Sequence, residues 1–305
     1  TEKRRGNREG KVTYAPDVML AETLRFMEEN RNRPMFIFFS TNLPHGPVDI
    51  PPEENTYAGS PAIRQAYGNA SGTNRECSGA AEEYASMVDK LDRQVGAIVD
   101  QVRKLGLDKR TIIIFSSDNG HELYYRTDKG RGRGPDCHGG VLDGTGELLD
   151  VFRGSRGRVG PNNAMANLAG LKWTSHEGGI RVPLIISWPG TLPHGKVCHS
   201  LVANYDHMAS FADLAGIRMP EGKDAVSYMD ILSGNSSRQR DYVVVDHTVI
   251  TGDGWKLTQK QNKPFLFHIG RDPEERNNLA GTRKDQLEKL RAIYRKEVGS
   301  PRKDR

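Results

Sequence analysis

The apolar and polar positions of the chain fall into short runs of two kinds. Ile112-Ile-Ile-Phe115 is four apolar residues in a row, the pattern of a strand buried on both faces. Met35-Phe-Ile-Phe-Phe-Ser40 and Val182-Pro-Leu-Ile-Ile-Ser-Trp188 read the same way. Between them the spacing is helical. Leu20, Leu24 and Met27 predict a helix over 18–31 with Asp17 as its N-cap. Tyr84, Met87, Val88, Leu91, Val95, Ile98, Val99 and Val102 form one stripe of a long helix over 80–105, stopped by Gly106. Helical spacing returns at 205–214. Residues 241–246, 256–259 and 265–269 read as short strands, and 285–298 as a final amphipathic helix.

Buried strands that each follow an amphipathic helix predict an α/β fold, with a mostly parallel central sheet flanked by helices. The short strands and terminal helix predict a small C-terminal α+β subdomain. The expected organisation is a main domain over 1–220 and a subdomain over 221–305. Residues 126–162 hold many Gly and Arg and little apolar periodicity, and read as a long surface insertion.

Composition narrows the class. The chain has 305 residues, 36% hydrophobic and 27% charged, enough for a large folded domain. Mean hydropathy is −0.65, and no apolar run approaches the roughly 20 residues of a membrane span. The formal net charge of +5 is spread along the chain with acids interleaved, and no nucleic-acid-binding pattern is present. The three cysteines, Cys77, Cys137 and Cys198, make no Cys-x-x-Cys pair.

Three polar segments flank the predicted strands. Ser116-Ser-Asp118-Asn119-Gly120 follows the strand at 112 directly. Ligands bind beyond strand ends in α/β sheets, and a carboxylate beside an amide oxygen suits Ca²⁺ or Mg²⁺. The same residues also suit a plain turn. Asn42-Leu-Pro-His45-Gly-Pro47 follows the strand at 35. It is either a rigid loop with an incidental histidine or a mount for a proton donor or anion ligand at His45. Leu171-Lys172-Trp-Thr-Ser-His176-Glu177-Gly178-Gly179-Ile-Arg181 leads into the strand at 182. Lys172 offers a compact charge to an anionic oxygen, and Gly178 and Gly179 allow close backbone approach. Glu177 and Arg181 are expected to form a structural ion pair, and His176 to lie on the surface.

These segments, in this order, resemble the sulfatase family of the alkaline-phosphatase superfamily. The resemblance rests on the helix Ala85-Ser-Met-Val-Asp-Lys-Leu-Asp92, the strand end Ile114-Phe-Ser-Ser-Asp-Asn-Gly120 and the loop Pro44-His45-Gly-Pro47. It continues through Lys172-Trp-Thr-Ser-His-Glu-Gly-Gly-Ile-Arg-Val-Pro183, Trp188-Pro-Gly190 and Leu266-Phe-His-Ile-Gly-Arg-Asp-Pro-Glu-Glu-Arg-Asn-Asn-Leu-Ala280. It implies an alkaline-phosphatase-like fold and hydrolysis of sulfate esters, on a small molecule or a glycan. It implies that Asp118 and Asn119 bind Ca²⁺ (or Mg²⁺), and that His45 and Lys172 hold the sulfate oxygens, one of them helping to protonate the leaving group. The family is mostly periplasmic, secreted or lysosomal.

One departure is decisive. The family carries an upstream Cys-x-Pro-x-Arg, or its Ser equivalent, whose Cys or Ser becomes the formylglycine nucleophile. It also carries an upstream aspartate pair and a Lys/His pair. Here Cys77 precedes Ser-Gly-Ala-Ala, Cys137 precedes His-Gly-Gly-Val and Cys198 precedes His-Ser-Leu-Val. The chain is therefore expected to be an N-terminally truncated fragment, inactive alone, with part of a calcium shell. Two other readings stay open: a phosphate or phosphonate ester hydrolase of the same superfamily, and a non-catalytic pseudo-sulfatase.

Overall fold

The computed structural model describes residues 13–45, 48, 50–63, 75–120, 168–169, 172, 174–234, 240–260 and 263–299. The insertion expected at 126–162 lies outside the described residues. The chain divides into two compact units, one of residues 1–112 and 122–164, the other of residues 113–121 and 165–305.

Among the described residues of the first unit the long helices are α1 (Ala15–Glu29) and α2 (Arg75–Lys104). The helix expected to start at 18 begins three residues earlier. Pro16 sits in its first turn, where a missing N–H costs nothing, so Tyr14 takes the N-cap position and Asp17 is not the cap. The Asp17 carboxylate is instead 2.6 Å from Lys90 Nζ of α2. Lys90 also pairs with Glu54, and Gln94 donates to the Pro16 carbonyl at 2.9 Å. Leu43, Ile50 and Met87 make the apolar centre, with Tyr14, Val48 and Leu91 around them. Gly106, at φ +65°, ends α2 as anticipated, because a left-handed residue is needed to turn the chain there.

Residues 35–40, expected as a buried strand, form no strand among the described residues. Phe36 is 71% and Phe38 83% exposed. An apolar β-prone run encodes an extended shape; a strand also needs a ladder partner, and none of the described strands pairs with it.

The second unit contains β1 (Ile113–Ser116), α3 (Glu177–Ile180), β2 (Leu184–Ser187), α4 (Asp206–Leu214) and α5 (Met229–Leu232). The mostly parallel sheet is not what the described strands form. β1 and β2 pair antiparallel, from Ile113↔Ser187 to Ser116↔Leu184. Apolar runs report burial and are blind to direction, which the intervening chain decides. Asp206, 1% exposed, anchors α4: it accepts the Ala203 and Val226 amides and pairs with Arg240 at 3.0 Å.

The C-terminal part of this unit is an antiparallel meander. Its strands β3 (Tyr242–Val245), β4 (Thr248–Thr251), β5 (Trp255–Lys260) and β6 (Lys263–His268) lie in sequential order. Asp246, at φ 50°, lies in the two-residue turn joining β3 to β4, where hairpin geometry requires positive φ. The terminal helix α6 (Lys284–Glu297) shares one core with the sheet. Val249, Leu257 and Leu266 stand in one cross-strand row and pack with Leu287, Leu290 and Tyr294 of α6. Because side chains alternate along a strand, the next row, Ile250, Lys256 and Phe267, points to the opposite face. That face also is buried, and it carries a lysine.

Leu257 is fully buried at the centre of the α6 core. Leu257→Ala is expected to cost about 2–5 kcal/mol of stability, read as a lower urea midpoint with an unchanged slope. A variant with the wild-type midpoint would show that this core does not hold the sheet.

Candidate functional site

β1 delivers Asp118 and Asn119 to the surface just past its last ladder residue. Four bonds shape the segment. Ser116 Oγ donates to the Pro183 carbonyl at 3.0 Å, locking the strand end to the entry of β2. Ser117 Oγ donates to the Asn119 carbonyl at 2.9 Å. The Asn119 amide donates to Asp118 Oδ1, also at 2.9 Å, while Asn204 Nδ2 donates to the Ser117 carbonyl. Asp118 is exposed and Asn119 half-buried. The segment is thus both a turn and a pair of adjacent hard oxygen donors.

Gly120 joins this strand end to the glycine pair of α3. Its amide donates to the Gly179 carbonyl at 2.8 Å, and the Gly178 amide donates to the Ala169 carbonyl at 2.6 Å. A Cβ on Gly120 would stand 1.9 Å from the Gly178 carbonyl oxygen. Both contacts are backbone against backbone, so side chains are excluded by contact. Lys172 lies in a turn, five residues before Glu177 in the same unit, and is half-buried. His45 belongs to the other unit, where its amide closes a turn on the Asn42 carbonyl at 2.7 Å and its side chain is exposed.

Behind the glycine pair is a buried ionic cluster that the sequence pattern did not reveal. Lys256 Nζ lies 3.0 Å from both Glu177 Oε1 and Glu275 Oε1. Lys256 and Glu275 are fully buried and Glu177 is 3% exposed. Glu275 Oε1 also accepts the Glu177 amide at 2.7 Å, and its Oε2 accepts from His176 Nδ1 at 2.9 Å. The expected Glu177–Arg181 pair exists, but at 3.8 Å and with Arg181 largely exposed. Lys256 is the closer partner, because a buried carboxylate is held by the charge that is buried with it. His176, expected on the surface, is half-buried against Glu275.

Glu275 sits in the left-handed region at φ 49°, uncommon for a residue with a side chain. Asp272 holds it there: its carbonyl accepts the Glu275 amide, and its carboxylate accepts the Arg276 and Asn277 amides. Burial by itself pushes the Glu275 carboxyl up. The His176 hydrogen bond, the Lys256 ammonium and the Glu177 amide together outweigh burial and hold it below its ordinary value of 4.5.

Asp118 and Asn119 carry oxygens of the kind a divalent cation takes. Among the described residues no group of three or more His, Cys, Asp or Glu side chains could hold a metal ion. The pair fits part of a Ca²⁺ shell by its chemistry, short of the six to eight oxygens that ion takes.

Comparison with known proteins identifies the class. The sulfatase family model matches residues 2–217, and the model for the C-terminal region of N-sulphoglucosamine sulphohydrolase matches residues 172–303. The chain belongs to the sulfatase family. It is 24% identical over 315 residues to N-acetylgalactosamine-6-sulfatase of Canis lupus familiaris, a match spanning 90% of this chain and 50% of that protein. It thus spans about half the length of the curated relatives it matches. Among solved structures, one from work on glycosaminoglycan metabolism by Bacteroides thetaiotaomicron superimposes with a TM-score of 0.68 at 21% identity, over 92% of this chain and 54% of that one. Ps i-CgsB in complex with k-i-k-neocarrahexaose gives 0.65 at 23% identity, over 95% and 57%. At these identities the structures establish a shared fold.

Two predictions follow from the geometry. Gly120→Ala forces Cβ into the Gly178 carbonyl and is expected to cost about 2–3 kcal/mol or more, seen as a lowered melting temperature; an unshifted melt would refute that contact. Glu275 is more acidic folded than unfolded, so its stabilisation is complete above the ordinary value of 4.5 and disappears as pH falls through the lower folded value. The melting-temperature gap between wild type and Glu275→Gln should therefore be constant near neutrality and close in acid. A gap that persists to about pH 2 would contradict the assignment.

Proposed function

We propose that this chain forms the aspartate- and lysine-bearing portion of a sulfate-ester hydrolase, with sulfated glycans as its substrate class. The observation that carries the reading is the backbone bond from Gly120 to Gly179, which ties the Asp118–Asn119 strand end to the segment containing Lys172. Family membership supports the chemistry. The relative named N-acetylgalactosamine-6-sulfatase and the neighbour holding a neocarrahexaose support a carbohydrate substrate.

Hydrolysis of a sulfate ester builds negative charge on the leaving oxygen and redistributes it over the SO₃ group. Lys172 would offset that charge with a compact ammonium, and His45 would hold a sulfate oxygen or deliver a proton to the departing alcohol. Asp118 and Asn119 would hold part of a Ca²⁺ site, and Mg²⁺ is the alternative ion. When bound, such a cation supplies further electrostatic stabilisation of the sulfate oxygens. None of the three cysteines stands in a Cys-x-Pro-x-Arg motif. The formylglycine nucleophile is accordingly assigned to sequence outside these 305 residues, from a Cys or Ser precursor. The same assignment makes the 305 residues alone inactive.

The test uses the polypeptide that carries this chain together with such a nucleophile motif. We expect release of sulfate from a 6-sulfated amino sugar, loss of that activity on chelation, and a fall of about 10²-fold or more in turnover for Lys172→Ala. Unchanged kinetics in that variant would remove the lysine from the mechanism. Hydrolysis of a phosphate diester with no action on any sulfate ester would move the protein to the phosphate-ester branch of the superfamily.

A further inference from the structure

The cluster around Lys256 is larger than a local ion pair and joins segments far apart in sequence. Lys256 is the second residue of β5, Glu275 comes from the turn after β6, and His176 and Glu177 from the start of α3. Burying two carboxylates and one ammonium is expensive unless each is paired and hydrogen-bonded. Here one ammonium bridges both carboxylates at 3.0 Å, and the Glu177 amide and the His176 ring complete the Glu275 shell. His176 Nδ1 donates to Glu275 whatever the state of its other nitrogen, since an ionised carboxylate can only accept. Two features say that the arrangement is over-determined. Glu275 is kept in left-handed backbone, and Glu177 is held by its main-chain amide as well as its side chain.

The cluster has one mechanical output. Glu177 is followed directly by Gly178 and Gly179, and the Gly179 carbonyl accepts the Gly120 amide, two residues beyond Asp118. No side chain fits between Gly120 and Gly178, so the contact transmits displacement without slack.

We propose that Lys256, with Glu177 and Glu275, is a buried ionic latch through which the C-terminal sheet positions the Asp118–Asn119 strand end. Lys256 is a positioning residue, acting on the site only through Glu177 and the glycine pair. Its importance for catalysis rests on the sulfatase reading above; the latch itself is tested without substrate. The latch makes the small C-terminal sheet a working part of the site. It also explains why one row of that sheet carries a lysine between Ile250 and Phe267 on a buried face.

The test is amide hydrogen exchange read by segment. Lys256→Met removes the charge, keeps most of the volume and leaves two carboxylates facing each other. It is expected to speed exchange by about tenfold or more at 116–120 and 176–181, with 284–297 within about threefold of wild type. Adding Glu275→Gln to Lys256→Met rebalances charge and is expected to return 116–120 most of the way to the wild-type rate. Wild-type exchange at 116–120 in folded Lys256→Met would overturn the latch. Equal acceleration everywhere, or no recovery in the double variant, would do so too, since either reduces Lys256 to a part of general stability. A measurement on the unmodified chain covers a variant that does not fold. In rising urea, 116–120, 176–181 and 255–260 should lose protection together. Earlier opening of the first two, with 255–260 still protected, would also overturn the proposal. Because no substrate enters these readouts, the latch can stand in a protein that hydrolyses no sulfate ester, and the two readings fail separately.

Discussion

A lysine ammonium with no access to water must be matched by carboxylates that are equally buried, and in this molecule that requirement organises the second unit. Lys256 on β5 is fully enclosed and lies 3.0 Å from carboxylate oxygens of Glu177 and Glu275. Either carboxylate alone would leave a lone pair or a charge poorly satisfied. Together, with the Glu177 amide and the His176 ring, they close the set. Such clusters add little net stability compared with apolar packing, but losing one member leaves an uncompensated buried charge. The cost of leaving any member unpaired fixes which segments must meet.

The C-terminal meander is built to present that lysine. One face of its sheet packs on α6 through Val249, Leu257 and Leu266, an apolar core with Tyr242 hydrogen-bonded to Glu297 at its edge. The alternate row, one residue along each strand, turns Lys256 the other way between Ile250 and Phe267. The turn after β6 then returns Glu275 to the same place, at the expense of a left-handed backbone that Asp272 stabilises by three hydrogen bonds. The buried ion pairs thus lie on the face opposite the α6 core.

The residues proposed for the site stand out in the sequence for a common reason. Asp118, Asn119, Lys172 and His45 are polar residues placed beside apolar runs, and such contrasts survive in the sequence itself. The glycine pair was legible as a place of close approach, and the Gly120 contact bears that out. Lys256 and Glu275 were not legible. A lysine in a short strand and a glutamate in an Asp-Pro-Glu-Glu turn look like ordinary surface charges until partners distant in sequence come within 3.0 Å. His176 turns to Glu275 instead of the surface for the same reason, and of the partners of Glu177 only Arg181 lies at helical spacing from it in the sequence.

Local pattern by itself determined the four longer helices, three of the four C-terminal strands, the apolar stretch of β1 and the polar corner that follows it, because periodicity and turn chemistry act over a few residues; α3, α5 and β4 are too short to show a period. Tertiary structure alone decided the rest. It paired β1 and β2 antiparallel, left residues 35–40 outside the described strands, and moved the start of α1 to Ala15 with Asp17 turned to Lys90. It also brought Lys256 to Glu177 and Glu275. Strand direction, ladder partners and the pairing of buried charges depend on residues far apart in the chain, and no local pattern contains them.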